Sequence, residues 1–248
     1  MASKQSGGSG LSGNLLKLIA CLSMLCDHAG LLLFPDVSWL RYVGRLAMPI
    51  FAFFIGIGCK KTHSPLKYLL RVFLLGVLCQ AFYVGEDLLQ NGQITELYLN
   101  VLFTFTLSML LCFAFLRLQK ASGGGKFLWS AALLAVLGGS LFLCRFASPL
   151  LPFSLRIDYG MAGILLPCFA LASEDKSRQT AAFAVGLVCF NLLLEPIMPC
   201  TWFSLAALPL LWLYNGNRGK GGKAAQWGFY LFYPLHFALL FGISLLMP

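Results

Sequence analysis

The chain has 248 residues, of which 59% are hydrophobic and 11% are charged, and its mean hydropathy is +0.81. An ordinary soluble domain contains about 45–50% apolar and about 25% charged residues, so this composition excludes a compact soluble protein, a disordered protein and a small disulfide scaffold. The formal net charge of +9 does not indicate nucleic-acid binding, because the basic residues lie in short gaps between apolar runs. The sequence therefore predicts an integral membrane protein.

The elements expected in chain order are membrane helices separated by short polar gaps. Residues 1–13 are rich in glycine and serine and predict a flexible tail, whereas residues 14–248 predict a single integral membrane domain. A helix needs about 20 mainly apolar residues to cross a bilayer. The apolar runs predict an all-α polytopic bundle of about nine transmembrane helices, near residues 14–34, 42–59, 67–84, 98–116, 127–144, 157–173, 180–196, 198–214 and 226–246. Residues 180–214 also allow a half-membrane hairpin in place of two full spans.

The distribution of lysine and arginine predicts the orientation of the bundle. Of the 18 basic residues, all but four fall in the N-terminal tail or in gaps on the same side of the membrane, and the four exceptions are Arg41, Arg45, Arg145 and Arg156. The positive-inside rule therefore places the N-terminus in the cytoplasm. The nine cysteines form no C-x-x-C pair, and zinc-binding and phosphate-loop motifs are absent from the sequence, so we predict no metal site.

Several polar residues lie deeper in the predicted helices than snorkelling at a helix end explains. They are Asp27, His28, Arg45, Asn100, Asp158, Asn191, Glu195, Tyr230, Tyr233 and His236. An isolated charge inside a membrane costs several kcal/mol, so each of these groups needs a partner or a wet cavity. We expect them to line one cavity, and the alternative is that they pair with each other only to hold the bundle together.

Two short stretches contain the most informative of these polar residues. Asp27 and His28 are sequence neighbours and point about 100° apart on a helix, so each needs its own partner. Arg45 is the natural counter-ion for Asp27, which leaves His28 available for proton transfer. In the last helix Tyr233 and His236 are three residues apart and share one face with Tyr230, a pattern that suits a reaction chamber or, alternatively, aromatic anchoring with a structural histidine.

The order of the polar motifs along the chain resembles the TraX family of membrane proteins. The resemblance covers nearly the whole chain after residue 13. The segments that carry it are Leu25-Cys26-Asp27-His28, Gly44 to Phe53 (GRLAMPIFAF), Asn100 to Thr104 (NVLFT), Asp158-Tyr159-Gly160 and Phe229 to His236 (FYLFYPLH). The residues that match the family by position are Asp27, His28, Arg45, Asn100, Asp158, Tyr233 and His236.

The resemblance implies a membrane-embedded acyltransferase of the bacterial cytoplasmic (inner) membrane. The namesake of the family acetylates the N-terminus of a conjugative pilin, and the family looks related to transmembrane acyltransferases such as heparan-α-glucosaminide N-acetyltransferase. This chain would therefore take an acyl group from acyl-CoA, with acetyl-CoA as the expected co-substrate. The acceptor would be an amine or hydroxyl at or beyond the outer face, on a peptide N-terminus, a glycan or a small amine.

Acyl transfer from a thioester needs a base for the attacking group and donors for the developing oxyanion. We expect His28 to be the general base or to accept the acyl group briefly, with His236 orienting it or relaying protons. Asp27 and Arg45 would set the local electrostatics.

The remaining candidate residues would bind the two substrates. Asn100 or Tyr233 would donate to the thioester carbonyl, while Asp158, Tyr230 and Glu195 would contact the acceptor. The phosphates of CoA would bind a basic rim on the cytoplasmic side, formed by Lys60, Lys61, Lys67 and Arg71. Two other functions stay open from the sequence, a transporter or channel with an intramembrane proton pathway and a non-catalytic membrane assembly factor.

Overall fold

The computed structural model describes residues 10–94, 96–194 and 199–247, and helices make up most of this part of the chain. The helices in chain order are α1 (Gly13–Leu32), α2 (Trp39–Gly44), α3 (Ala47–Lys61), α4 (Pro65–Asn91), α5 (Val101–Lys120), α6 (Gly124–Arg145), α7 (Gly160–Phe169), α8 (Lys176–Leu193), α9 (Ala207–Trp212) and α10 (Gly222–Ser244). The remaining elements are two strands, β1 (Glu96–Leu99) and β2 (Ser154–Ile157), and two 3-10 segments, Ser148–Leu150 and Pro199–Ala206.

The contacts of the chain divide it into two compact units. The terminal unit comprises the described residues up to Phe51 and those from Pro199 onward, and the middle unit comprises those from Ala52 to Leu194. In the terminal unit α1 packs against both α2 and α10. In the middle unit α5 packs against α4, α6 and α7, and α7 packs against α8. The expectation of a single domain stays a prediction.

Six helices of the described part are long and apolar enough to cross a membrane. They are Gly13–Leu32, Trp39–Lys61 (α2 and α3 together), Pro65–Leu89, Val101–Lys120, Gly124–Arg145 and Gly222–Ser244. Chain segments of this length and composition are stable in a bilayer, so the protein is a membrane protein. The prediction that the N-terminus lies in the cytoplasm stays a prediction.

The expected count of nine transmembrane helices is not confirmed, because three of the predicted spans have a different character in the structure. Gly160–Phe169 and Pro199–Trp212 are apolar but shorter, since the first begins only after β2 and the second starts as a 3-10 segment. The third, α8, opens with the polar and charged residues 176–180. A hydropathy pattern counts apolar residues but does not show where a helix starts and ends.

A two-stranded parallel sheet interrupts the expected all-α fold, so the chain is nearly but not wholly helical. β1 pairs with β2 from Glu96 opposite Ser154 to Leu99 opposite Ile157. In β2 the buried side chains Leu155 and Ile157 alternate with exposed ones, the period of two that a half-buried strand requires. The sequence analysis instead assigned these segments to a polar gap and to the starts of two membrane helices.

The core of the middle unit lies between α3, α7 and α8. Phe53 and Phe183 meet edge to face with their ring centres 5.3 Å apart, and both side chains are almost fully buried. Ile164 on α7 and Leu187 on α8 are also completely buried within the same unit. These apolar residues therefore stabilise protein-protein packing inside the unit instead of facing lipid.

The side chain of Asn100 fixes the start of α5. Its Oδ1 accepts a hydrogen bond from the backbone N–H of Leu102 at 3.1 Å, the arrangement of a helix N-cap. Its Nδ2 donates to the carbonyl oxygen of Gly76 at 2.9 Å and to Oε1 of Gln80 at 3.1 Å, both on α4. Because the side chain is fully buried, it both caps α5 and joins α5 to α4.

Replacing Asn100 by alanine should destabilise the protein by about 2–4 kcal/mol, because the cap is lost and the buried hydrogen bond from Nδ2 to the Gly76 carbonyl is lost with it. Asn100→Asp should recover none of the loss, since its carboxylate still caps the helix but turns a second acceptor oxygen toward the Gly76 carbonyl and Gln80 Oε1 in a fully buried site. The measurement is thermal unfolding in detergent. Thr106→Val is the matched control on the same helix, because Thr106 donates only to the Leu102 carbonyl one turn earlier. Equal losses in the two variants would contradict this role of Asn100.

Candidate functional site: a buried histidine pair

Two histidines that are far apart in the sequence meet inside the terminal unit. Nδ1 of His28 on α1 lies 2.7 Å from Nε2 of His236 on α10, within hydrogen-bond distance. The two rings are nearly parallel, with their centres 4.9 Å apart. His236 is buried and 4% exposed, whereas His28 is half-buried, so one side of the pair is enclosed by protein.

The backbone decides which nitrogens of the pair carry protons. Nδ1 of His236 lies 2.8 Å from the carbonyl oxygen of Phe232, and a carbonyl only accepts, so this nitrogen donates. In the neutral pair, Nε2 of His236 is therefore the acceptor and Nδ1 of His28 is its donor. Nε2 of His28 is left as the unprotonated nitrogen. The chain of two bonds thus fixes a single tautomer for each ring, with a lone pair on His28 that can take a proton.

Aromatic side chains hold the two imidazoles in place. The Phe232 ring stacks on His236 with a 4.9 Å centre-to-centre distance, and the Tyr233 ring meets His236 edge-on at 5.7 Å. The Phe237 ring meets His28 edge-on, also at 5.7 Å. All three aromatic residues lie within residues 232–237 of α10, so this short part of one helix positions both imidazoles.

A charged cluster lies beside the histidine pair. Asp27, next to His28 in the sequence, has its Oδ1 2.7 Å from Nη2 of Arg45, the pairing that the sequence predicts. A second guanidinium, that of Arg41, lies 3.1 Å from the same oxygen and also donates to the Asp27 carbonyl. Two arginines face one carboxylate, so the cluster carries net positive charge where an anion could form.

Gly44 permits this close approach of α1 and α2. A Cβ atom at position 44 would overlap the side chain of Asp27, so only glycine fits there. The Arg45 guanidinium that follows reaches the carboxylate and also donates from Nε to the carbonyl of Arg41. The salt bridge therefore depends on a glycine that the sequence analysis noted only as part of the family resemblance.

The middle unit contains a second polar cluster, around Asp158. Its Oδ1 accepts a hydrogen bond from the hydroxyl of Tyr98 at 2.6 Å, and its carbonyl accepts one from the hydroxyl of Thr104 at 2.5 Å. Burial, together with the neighbouring carboxylate, raises the pKa of Tyr98 well above its ordinary value, so the phenol keeps its proton. Asp158 and Asn100 thus both connect the sheet end of this unit to α5.

The other predicted site residues fall into three groups. Tyr230 is on α10 and contacts the Trp227 ring at 6.2 Å, while Glu195 lies outside the described residues. Of the four basic residues expected to bind CoA, Lys60 forms a salt bridge of 2.7 Å with Glu174. The other three, Lys61, Lys67 and Arg71, lie at or just after the turn between α3 and α4. In the part of the chain that the structure describes, no cluster of three His, Cys, Asp or Glu residues could hold a metal ion.

Sequence reasoning missed two functional contacts that the structure shows. Arg41 was counted only as a topology charge, although its spacing of four residues from Arg45 on a helix would place both on one side. Tyr98 was missed because nothing in its local sequence indicates a strand paired with residues 154–157.

The apolar helices and the paired histidines together define a helical membrane protein with a candidate histidine site. The family model described as "TraX protein" matches residues 12–244, and the chain belongs to the TraX family. It is similar to the "Probable fimbrial assembly protein FimC, serogroup H1" of Dichelobacter nodosus, with 31% identity over 91% of this chain and 92% of that protein. It is also 32% identical to "Uncharacterized protein RP591" of Rickettsia prowazekii (strain Madrid E), over 35% of this chain and 34% of that protein. No solved structure matches.

Arg45→Met should cost on the order of 2 kcal/mol of stability, because Asp27 then keeps only the Arg41 guanidinium. Adding Asp27→Asn should restore part of the loss by removing the poorly paired carboxylate. Thermal unfolding in detergent measures both. The control is Lys60→Met, whose partner Glu174 is 88% exposed, and it should change stability by less than about 1 kcal/mol. If the double variant is no more stable than Arg45→Met, Asp27 is not the residue that makes Arg45 necessary.

Gly44→Ala should lower the melting temperature by pushing α2 away from Asp27. A cost of about 1–3 kcal/mol is expected for overpacking at such a contact. Gly138→Ala on α6 is the matched control, because a Cβ there would meet nothing within 4 Å. This control should be neutral or slightly stabilising, as alanine favours a helix. An unchanged melting temperature in Gly44→Ala would show that the packing of α1 against α2 does not require glycine at position 44.

Proposed function

We propose that the chain is an acyltransferase of the bacterial cytoplasmic membrane that moves an acetyl or other acyl group from cytoplasmic acyl-CoA to an amine or hydroxyl at or beyond the outer face. The observation that carries the proposal is the hydrogen-bonded pair of His28 and His236, with its unprotonated nitrogen on His28. Membership of the TraX family supports it, and so does the fimbrial assembly name of the relative from Dichelobacter nodosus.

The proton chemistry follows from the tautomers of the pair. Nε2 of His28 takes the proton of the acceptor amine or hydroxyl as that group attacks the thioester carbonyl. Nδ1–H of His28 then donates a stronger bond to His236, which spreads the new positive charge over two rings. When the C–S bond breaks, the proton on His28 moves to the sulfur and free CoA thiol leaves. His236 is thus a positioning residue for His28, in the way a third group orients the base of a catalytic triad.

The oxyanion of this reaction needs donors or positive charge. Both amide hydrogens of Asn100 already bind Gly76 and Gln80, so we assign Asn100 to the fold and not to the thioester. Tyr233, on the same turn as His236, is the donor we propose. The net positive charge of Asp27 with Arg41 and Arg45 would favour the same developing anion.

A second candidate function is assembly without catalysis. It is favoured by the name of the Dichelobacter nodosus relative, which refers to assembly and to no reaction. In that case the histidine pair would serve only to hold α1 against α10. The two functions differ in one observable, since only an enzyme consumes the thioester.

The test is release of free CoA thiol from acetyl-CoA by the purified full-length protein in detergent. Wild type should hydrolyse acetyl-CoA slowly even without an acceptor, and His28→Ala should reduce the rate by about 100-fold or more. His236→Phe should reduce it by a smaller factor, because it keeps an aromatic ring but removes the acceptor that sets the tautomer of His28. Leu31→Ala, an exposed residue of the same helix, is the control that should keep the wild-type rate.

Melting curves of all four proteins separate loss of chemistry from loss of fold. Folded His28→Ala with an unchanged rate would remove His28 from the mechanism and move the base to His236. Absence of release from wild type, combined with no stabilisation by acetyl-CoA, would overturn the acyltransferase proposal in favour of assembly.

A further inference from the structure

The middle unit contains a cavity of about 1200 Å³ that the mechanism above does not use. It lies where the ends of α3 and α5 meet the start of α6 and the residues that follow α7. The lining residues that could bind a ligand are Lys60, His63, Arg117, Lys120, Ser122 and Trp129. A space of this size accommodates a ligand as large as a nucleotide.

The cavity has more positive charge than its own carboxylate neutralises. Lys60 is paired with Glu174 at 2.7 Å and donates to the carbonyl of Ser173 at 3.2 Å, so this lysine is committed to the protein. Arg117 and Lys120 are three residues apart at the end of α5, and within the described ranges neither has a carboxylate within salt-bridge distance. These two cations are therefore available to an anionic ligand.

An aromatic surface adjoins these cations. The guanidinium of Arg117 lies 5.9 Å from the centre of the Trp129 ring, and both side chains line the cavity. The guanidinium lies over this face of the indole, so a planar base would pack against the Arg117–Trp129 pair, while the guanidinium N–H groups remain able to bind a phosphate. A lipid headgroup offers only the phosphate part of this match.

The start of α6 places the positive end of a helix dipole beside the cavity. No side chain caps this helix at its N-terminus, and Ser122 and Gly125 both line the cavity. A Cβ at Gly124 would meet nothing within 4 Å, so packing does not require glycine there. The N–H groups of Gly125 and Lys126 already donate to the carbonyl oxygens of Ser122 and Gly123, so this end of the 22-residue helix contributes the positive end of its dipole, which favours an anion.

We infer that this cavity binds a phosphate-bearing nucleotide, with the phosphates on Arg117, Lys120 and the start of α6 and the base on Trp129. Its assignment to the nucleotide end of the acyl donor rests on the proposed function. The site differs from the rim expected from the sequence, because Lys60 lines the cavity whereas Lys61, Lys67 and Arg71 are not among its described lining residues.

The test uses adenosine 3′,5′-bisphosphate, which carries the base and phosphates but has no thioester. Its binding to the full-length protein in detergent is measured by titration calorimetry. The double variant Arg117→Gln/Lys120→Gln should weaken binding about 10-fold or more, and Trp129→Leu about 5-fold. Lys126→Gln is the matched control, because this exposed lysine is on α6 near the cavity but does not line it. It should bind as wild type does.

Two further titrations identify the source of the phosphate. Inorganic phosphate should bind at least about 10-fold more weakly than the nucleotide, since it cannot stack on Trp129. Short-chain phosphatidylglycerol should not displace the nucleotide. If the lipid displaces it and Trp129→Leu has no effect, the cavity is a lipid headgroup site and the inference is wrong. An equal loss of nucleotide binding in Lys126→Gln would show that binding depends only on overall positive charge. That result would also overturn the inference.

Because the probe has no acyl group, this result is independent of turnover. Nucleotide binding that depends on Arg117 and Trp129, without any CoA release, would support the nucleotide site in the cavity and overturn the acyltransferase proposal. CoA release at the wild-type rate, with nucleotide binding unaffected in every variant, would support the acyltransferase proposal and overturn the nucleotide site in the cavity. Melting curves confirm that each variant is folded before either conclusion is drawn.

Discussion

The cost of leaving a polar group without a partner in an apolar environment determines how this protein is arranged. Asp27 is paired with two guanidinium groups, and His28 is paired with His236, whose other nitrogen is held by a backbone carbonyl. Each partner comes from a different part of the chain. Because the alternative to pairing costs several kcal/mol inside a membrane, these contacts select the helix neighbours as strongly as apolar packing does.

Both of these polar groups lie on helix α1. Its two adjacent residues, Asp27 and His28, point in different directions, so Asp27 meets α2 and His28 meets α10. One turn of α1 therefore determines the positions of two neighbouring helices. Gly44 completes the arrangement by removing the side chain that would keep α2 away. A charge pair and an imidazole pair on one helical turn supply the fixed geometry that proton transfer needs.

The chemistry of individual residues explains which contacts of the candidate site the sequence could predict. The depth of Asp27 and the charge of Arg45 were sufficient to predict their pairing, and adjacency was sufficient to predict separate partners for Asp27 and His28. The partner of His28 lies 208 residues away, and only the common depth of the two histidines connects them in the sequence. The span count is not confirmed where apolar residues such as Ile164 and Leu187 are buried against protein, because hydropathy does not distinguish a protein neighbour from lipid. The strand pair was missed for the same reason that Tyr98 was missed, since pairing between distant four-residue segments has almost no local signal.

The two candidate sites have opposite physical requirements, and the structure meets them in separate units. A general base needs a fixed ring with little water around it, and His28 is held by its stacking and hydrogen bond with the buried His236, on which Phe232 stacks in turn. A phosphate-bearing ligand needs cations that are still hydrated before it arrives, which the exposed Arg117 and Lys120 provide. Burying those cations would force them to find protein partners, as Lys60 has done with Glu174, and would remove them from the ligand. A single environment cannot serve both purposes, so a chain that handles a charged donor and a dry proton transfer needs a different environment for each.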